Sequence, residues 1–261
     1  MPDVSLQEAF TDVPKTSAKA LSEFHSLVAG AIGVRARSNT VTQSALMLGA
    51  PELASVRDRM QPPSGLSTVH ETQRFWREYD GDMNVDRLSV SCDLATASAR
   101  FQFGCFQGEA LTGEIETRLR FVAPQQVAAL KGAVFAPRMV GEAAIDTKTH
   151  RISSELVQAY VRLAHDDNPI HTDQAAARAA GLSSTVVPGM LLCALVEAAF
   201  SNYSNQSLGE LKTRFMAGVP VGEAVRLVIA PRGSSNAPWS KARAFCVTRS
   251  GTIAAISDLN A

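Results

Sequence analysis

The sequence predicts an α+β chain made of two halves, each a helical stretch followed by several antiparallel strands. Residues 190–200, M-L-L-C-A-L-V-E-A-A-F, contain one polar residue, Glu197, so a helix here must be wrapped on nearly every side. It is too short to cross a bilayer, so the wrapping material is protein. Strand-like alternation follows a helical stretch twice, first after residue 66 and again after residue 210. Just before the apolar helix, residues 165–173 hold the one tight cluster of titratable side chains, H-D-D-N-P-I-H-T-D.

Composition narrows the function classes. A chain of 261 residues can bury a proper core and sets a prior of one or two domains. Its 25 basic and 25 acidic residues balance, which leaves no net charge to recruit nucleic acid or an anionic membrane. Cysteines 92, 105, 193 and 246 show neither C-x-x-C spacing nor a histidine cluster, so no metal site is expected. Cys193 reads as a core residue. The first residues lack a basic segment followed by an apolar one, and the expected compartment is the reducing cytoplasm.

In the N-terminal half, residues 16–60 read as helical or irregular, with Ala20, Leu21, Phe24, Leu27, Val28 and Ile32 at roughly helical spacing. Residues 62–65, P-P-S-G, break that pattern. Alternation then predicts strands over 68–76, 87–94, 97–106 and 109–122, with turns at Asp80-Gly81-Asp82 and Phe106-Gln107-Gly108. No acid/base motif accompanies this half. Residues 124–132 read as the boundary, dividing the chain into 1–131 and 132–261.

In the C-terminal half, residues 140–145 and a strand near 150–152 lead into a helix capped by Ser153, with Glu155 in its first turn. Its apolar face is expected to be Leu156, Ala159, Tyr160 and Leu163. Asn168 precedes Pro169 and is pushed to an extended conformation, so the helix ends near Ala164. A loop carrying Asp166 and His171 follows. Thr172 or Asp173 then caps a short helix that Gly181 ends. Pro188-Gly189 opens the apolar helix, whose first N–H groups lack partners within the helix and can bind a negative oxygen. Residues 201–207 read as a polar loop, and 211–217, 223–230, 242–249 and 252–257 as strands.

Three stretches, A-H-D-D-N-P-I-H-T-D at 164–173, A-R-A-A-G at 177–181 and Pro188-Gly189-Met190, resemble the signature of the MaoC-like (R)-specific enoyl-CoA hydratases and dehydratases, or hydratase 2. That pattern runs S-G-D-x-N-P-I-H-x-D, then A-x-x-x-G, then a residue, usually His, before G-M. The resemblance implies a hot-dog fold, an antiparallel sheet wrapped round a central helix. With the recurring element order it implies a double hot-dog whose first copy lacks the acid/base residues and contributes to the acyl pocket. It further implies that Asp166 and His171 hold a water, that the Gly189 N–H contacts the thioester oxygen, and that Asn168 shapes the loop. The substrate would be an acyl-CoA or acyl-carrier-protein thioester. No cofactor or metal is called for, because the reaction has no redox or electron-sink step; a homodimer is compatible with this reading.

The chemistry fits those residue types. Adding water syn across a 2-enoyl thioester needs a base for the water, a proton for the α-carbon and a donor for enolate charge. An aqueous carboxylate near pKa ~3.9 is a poor base for water, so Asp166 has to be partly desolvated. Three positions depart from the pattern: Ala164 replaces serine, His165 replaces glycine and Pro188 replaces the usual histidine. His165 either places an ionisable side chain beside Asp166 or points to solvent. Asp173 reads as a cap or surface residue. Arg178, Lys212 and Arg214 could meet a nucleotide phosphate but read more simply as a solvated face. Two other readings stand beside hydration: a hot-dog thioesterase, and a non-catalytic acyl-thioester-binding protein.

Overall fold

The computed structural model describes residues 4–13, 17–35, 37, 39–78 and 85–261. The turn expected at Asp80-Gly81-Asp82 lies outside them. The N-terminal half runs β1 (Val4–Asp12), α1 (Ala18–Ile32), α2 (Thr40–Leu48), α3 (Ala54–Arg59), β2 (Ser67–Arg77), β3 (Arg87–Ala95), β4 (Ser98–Gln107) and β5 (Ala110–Val122). After α4 (Pro124–Ala128) come β6 (Ile145–Lys148), α5 (Ser154–Ala164), α6 (Gln174–Ala179), α7 (Gly189–Ser204), β7 (Glu210–Phe215), β8 (Arg226–Pro231), β9 (Lys241–Val247) and β10 (Ile253–Asn260). The strands form one antiparallel sheet of order β1-β3-β4-β5-β2-β7-β10-β9-β8-β6. Each half supplies five consecutive places, and the halves join where β2 pairs with β7, Gln73 opposite Thr213 and Phe75 opposite Leu211. The α+β double hot-dog expected from the sequence is the architecture observed, with α2 and α7 as its central helices.

The strand β1 was not anticipated. Its pairing with β3 shifts register between Leu6 and Ala9, and such a shift breaks the period-two pattern that marks a strand in sequence. A second correction concerns the approach to α5. The strand lies at Ile145–Lys148, and residues 149–152 are irregular because the His150 N–H turns away to the Ala31 carbonyl at the end of α1 (2.7 Å). The buried stripe of α5 is Val157, Tyr160 and Ala164, one position round from the face expected. Ser153 caps this helix as its sequence implied, its side chain accepting from the Leu156 N–H. The supposed boundary loop begins with a single helical turn, α4, where Pro124 needs no N–H partner.

Helix α7 organises the core. Leu191, Leu192, Cys193, Ala194, Leu195, Val196, Ala199 and Phe200 are buried, wrapped by α1, α2 and strands β7 to β10. It continues through Ser201–Ser204, a segment whose polarity suggested a loop, because Ser201 is itself buried and the Ser204 hydroxyl donates to the Phe200 carbonyl (2.7 Å). Its one mid-helix polar residue, Glu197, is 2 % exposed. The carboxylate accepts the N–H groups of Thr40 and Val41, both at 2.9 Å, at the first turn of α2. Nearby, Asn39 caps α2 through Thr42 N–H and donates its amide to the Ala194 carbonyl (3.0 Å). The central helices of the two halves are thus locked end to side by charge-assisted hydrogen bonds. Burial pushes the Glu197 carboxyl above its usual range, opposed by the two backbone donors.

Replacing Glu197 by leucine leaves two buried N–H groups without acceptors. The expected loss is about 2–4 kcal/mol of unfolding free energy, read as a lower denaturant midpoint at unchanged m-value; an unchanged midpoint would show that the contact is not structural.

Candidate active site

The site begins where α5 stops. His165 adopts φ 48°, and the Asp166 N–H returns to the Val161 carbonyl at 3.1 Å, closing a Schellman turn. The left-handed conformation favours glycine, which accounts physically for the glycine of the resembling pattern at this position. The His165 side chain is exposed; of the two expectations, the solvent-facing one holds. The end of α5 rests on Gly49, where a Cβ would come within 2.4 Å of the Ala164 carbonyl oxygen.

Two Asx-type turns then shape the loop. Asp166 Oδ1 accepts the Asn168 N–H and Asn168 Oδ1 accepts the Ile170 N–H, both at 3.3 Å. Pro169–His171 forms a 3-10 turn, and the Val186 N–H bonds the Ile170 carbonyl at 3.2 Å. The His171 ring nitrogen Nδ1 lies 2.7 Å from the Val186 carbonyl oxygen. A carbonyl only accepts, so Nδ1 carries the hydrogen and the Nε2 of the neutral ring has a free lone pair. That Nε2 faces Asp166 Oδ2 at 3.6 Å, with side-chain exposures of 9 % for His171 and 28 % for Asp166. The gap is too long for a direct hydrogen bond and presents two acceptors that one water can serve. Asp173 is a cap: its Oδ1 accepts the N–H groups of Ala175 and Ala176 at the start of α6.

Gly189 is the first residue of α7, following Pro188, which has no N–H of its own. A Cβ at Gly189 would lie 2.9 Å from the Phe215 ring and 3.3 Å from His70 Nδ1. His70 is a residue that sequence reasoning missed. It comes from β2 in the N-terminal half, its ring 4.5 Å from that of Phe215 and within the electrostatic reach of His171. Its ring nitrogen Nε2 lies 3.0 Å from Gln73 Oε1, which lies 2.9 Å from the Thr117 hydroxyl. Burial pushes the His70 pKa down to about 4, opposed by hydrogen bonds to Gln73 and to the Thr72 backbone. As a whole residue His70 is partly accessible. Tyr160 packs beneath the loop, its phenol pushed well up by burial and then by the Asp166 carboxylate.

Other polar residues fall elsewhere. Arg178, Lys212 and Arg214 are exposed, a solvated face. Among the described residues no group of three or more His, Cys, Asp or Glu could hold a metal ion, and no helix is long and apolar enough to cross a membrane. Cys193 is buried and donates to the Thr213 hydroxyl (3.3 Å). A shallow groove of about 530 Å³ between α1 and α5 is lined by Glu23, His150 and Leu156 among others and by none of Asp166, His171 or Gly189; it opens about 12 Å along the α5 axis from its Asp166 end.

Residues 136–248 match the family model described as MaoC like domain. An 84-residue stretch, 30 % of the chain, is 34 % identical to the mitochondrial 3-hydroxyacyl-[acyl-carrier-protein] dehydratase of Arabidopsis thaliana, and the match spans 48 % of that protein's length. Among solved structures, HtdX of Mycobacterium tuberculosis superposes with a TM-score of 0.70 at 13 % identity, covering 97 % of this chain and 99 % of that one. A MaoC-like dehydratase from Phytophthora capsici gives 0.67 at 14 % identity, covering 99 % and 94 %. The full-length peroxisomal multifunctional enzyme type 2 of Drosophila melanogaster gives 0.63 at 15 % identity, covering 98 % of this chain and 48 % of that one. These structures share the double hot-dog fold. The matched residues include Asp166, Asn168, His171 and Gly189; His70 lies outside them.

Two outcomes follow from the site's local physics. Relieving the left-handed strain by His165→Gly should raise the unfolding free energy by up to about 1 kcal/mol, measured by denaturant unfolding; a loss would mean the His165 side chain contributes a contact. His70 has a folded pKa near 4 against 6.5 unfolded, so the unfolded state binds the extra proton. Its contribution is present above pH 6.5 and is lost as pH falls toward 4. Between those values, wild-type stability should fall more steeply than that of His70→Phe, by about one proton in the slope. Parallel pH profiles would contradict this.

Proposed function

We propose that the protein is an (R)-specific 2-enoyl-thioester hydratase, equally a 3-hydroxyacyl-thioester dehydratase, acting on acyl-CoA or acyl-carrier-protein thioesters. The observation that carries this reading is the 3.6 Å gap between two acceptors, Asp166 Oδ2 and the bare Nε2 of His171, which suits one water held through both its hydrogens. The name of the Arabidopsis relative supports the substrate class and the dehydration direction.

In hydration the water oxygen bonds to C3 as Asp166 takes one of its protons. The C2–C3 π pair moves toward the thioester carbonyl, where the Gly189 N–H stabilises the enolate oxygen. Asp166 returns the proton to C2 on the same face, which makes the addition syn and leaves the protein as it began. His171 orients the water, its own hydrogen fixed on Nδ1 by the Val186 carbonyl, and Asn168 holds the loop that sets Asp166 against it. In this reading the chain divides near residues 131 and 132, the second half supplying the acid/base pair and the first half walls for the acyl group.

Asp166→Asn and His171→Ala should each lower kcat/KM for crotonyl-CoA by about 10²–10⁴-fold with thermal stability unchanged. Loss of enoyl absorbance reads hydration, and release of free thiol reads thioester hydrolysis. Full hydration activity in either folded variant, or thiol release by the wild type in place of hydration, would remove the assignment.

A further inference from the structure

The N-terminal half sends one polar chain into the site, and its construction is unusual. Strand β2 loses register with β5 between His70 and Thr72, leaving Glu71 unpaired: His70 is opposite Leu119, Thr72 opposite Arg118 and Gln73 opposite Thr117. Residues directly opposite in an antiparallel pair share a face. Leu119 and Thr117 are buried while Arg118 is exposed, so His70 and Gln73 both point inward although they are three positions apart. Regular alternation would send them to opposite faces. The bulge therefore re-aims His70 from solvent to the interior, where its Nδ1 lies 3.3 Å from the point a Cβ on Gly189 would occupy.

Gln73 then decides which nitrogen of that imidazole carries the hydrogen. The residue is 1 % exposed, its Oε1 touches both His70 Nε2 and Thr117 Oγ1, and its Nε2 has no partner. An orphaned buried N–H is costlier and rarer than an under-used carbonyl oxygen. The two ends of a side-chain amide have the same shape, so a half-turn of the amide keeps both contacts and satisfies both N–H groups. Gln73 then donates to Thr117 Oγ1 and to His70 Nε2. An Nε2 that accepts leaves a neutral His70 with its hydrogen on Nδ1, the atom beside Gly189.

We propose that His70 is a second donor to the thioester oxygen, its Nδ1–H joining the Gly189 N–H in one oxyanion hole contributed by both halves of the chain. This rests on the hydratase reading above and names a substrate-contacting residue outside the matched residues 136–248. Burial, the largest cause of the lowered pKa, suits the role, since an imidazole that stays neutral at working pH donates this bond without a mobile charge competing for the carboxylate. It also gives the orphaned amide a purpose: Gln73 and Thr117 fix the tautomer.

The test has two arms on the full chain. His70→Phe keeps a ring against Phe215 and removes the donor; the expected result is a kcat for crotonyl-CoA hydration lowered about 10²-fold, with KM little changed and the melting temperature retained. Wild-type kcat in that folded variant overturns the proposal and leaves the hydratase reading standing. In ¹⁵N-labelled wild-type protein, the His70 imidazole, identified by its loss in His70→Phe or His70→Gln, is expected to carry hydrogen on Nδ1 and a bare Nε2, and its Nδ1 resonance to move when crotonyl-CoA is added. Hydrogen on Nε2, or no response to crotonyl-CoA, overturns the proposal whether or not the variants fold. If the wild type binds crotonyl-CoA at Nδ1 but does not hydrate it, the hydratase reading fails while the thioester contact stands.

Discussion

The structure depends on a helix that has no side to leave in water. Once α7 is apolar on nearly every face, β7 to β10 can cover only part of it, and the remainder must be closed by α1 and α2 from the other half. The hydrophobic gain of enclosing these residues, about 1.5–3 kcal/mol for each large side chain, drives the two halves together around one continuous core. The buried Glu197 gives that closure a fixed geometry. An apolar residue there would hold α2 loosely, whereas a carboxylate accepting two N–H groups admits one register between the helices.

The site inherits its order from that closure. The first residue of α7, Gly189, follows Pro188 and sits against Phe215 and His70. Nothing in the Asp166 loop is free to drift: the Schellman turn fixes where it starts, the Asx turns fix its path, and the Val186 carbonyl fixes the His171 tautomer. The Asp166 and His171 side chains are then held on a segment braced by hydrogen bonds, the condition under which small placement errors stay small. The inward polar row on β5, β2, β7 and β10 runs Thr117, Gln73, Thr213 and Ser257, with Thr213 and Ser257 bonded at 2.7 Å. A string of buried hydroxyls and an amide under the central helix is an expensive way to fill a core, and its one unsatisfied nitrogen sits beside the histidine that faces Gly189.

The departures from the hydratase pattern are light in physical terms. His165 keeps the backbone conformation that glycine would adopt and sends its side chain outward. Pro188 removes a backbone N–H one residue before that of Gly189 and supplies a fixed φ for helix entry. Neither change occupies the gap between Asp166 and His171. The groups placed in acid/base roles therefore keep their setting although the residues around them differ.

Much of this was legible in sequence because it is local. The caps Ser153 and Asp173, the stop at Asn168-Pro169, the opening of α7 at Pro188-Gly189 and the period-two strands all follow from backbone rules acting within a few residues, and the D-D-N-P-I-H cluster marked the site. What sequence could not supply was anything set by residues far apart. The β1 strand and the inward turn of His70 depend on bulges that violate the alternation by which strands are read; the helical character of Ser201–Ser204 depends on burial; the partner of Glu197 lies more than a hundred residues away. Sequence by itself determined most of the elements and the cluster that holds Asp166 and His171, since those rest on neighbours along the chain. Only the tertiary structure decided what faces the mouth of α7, because that is fixed by two strands from different halves meeting edge to edge, and no period in the residues records the meeting.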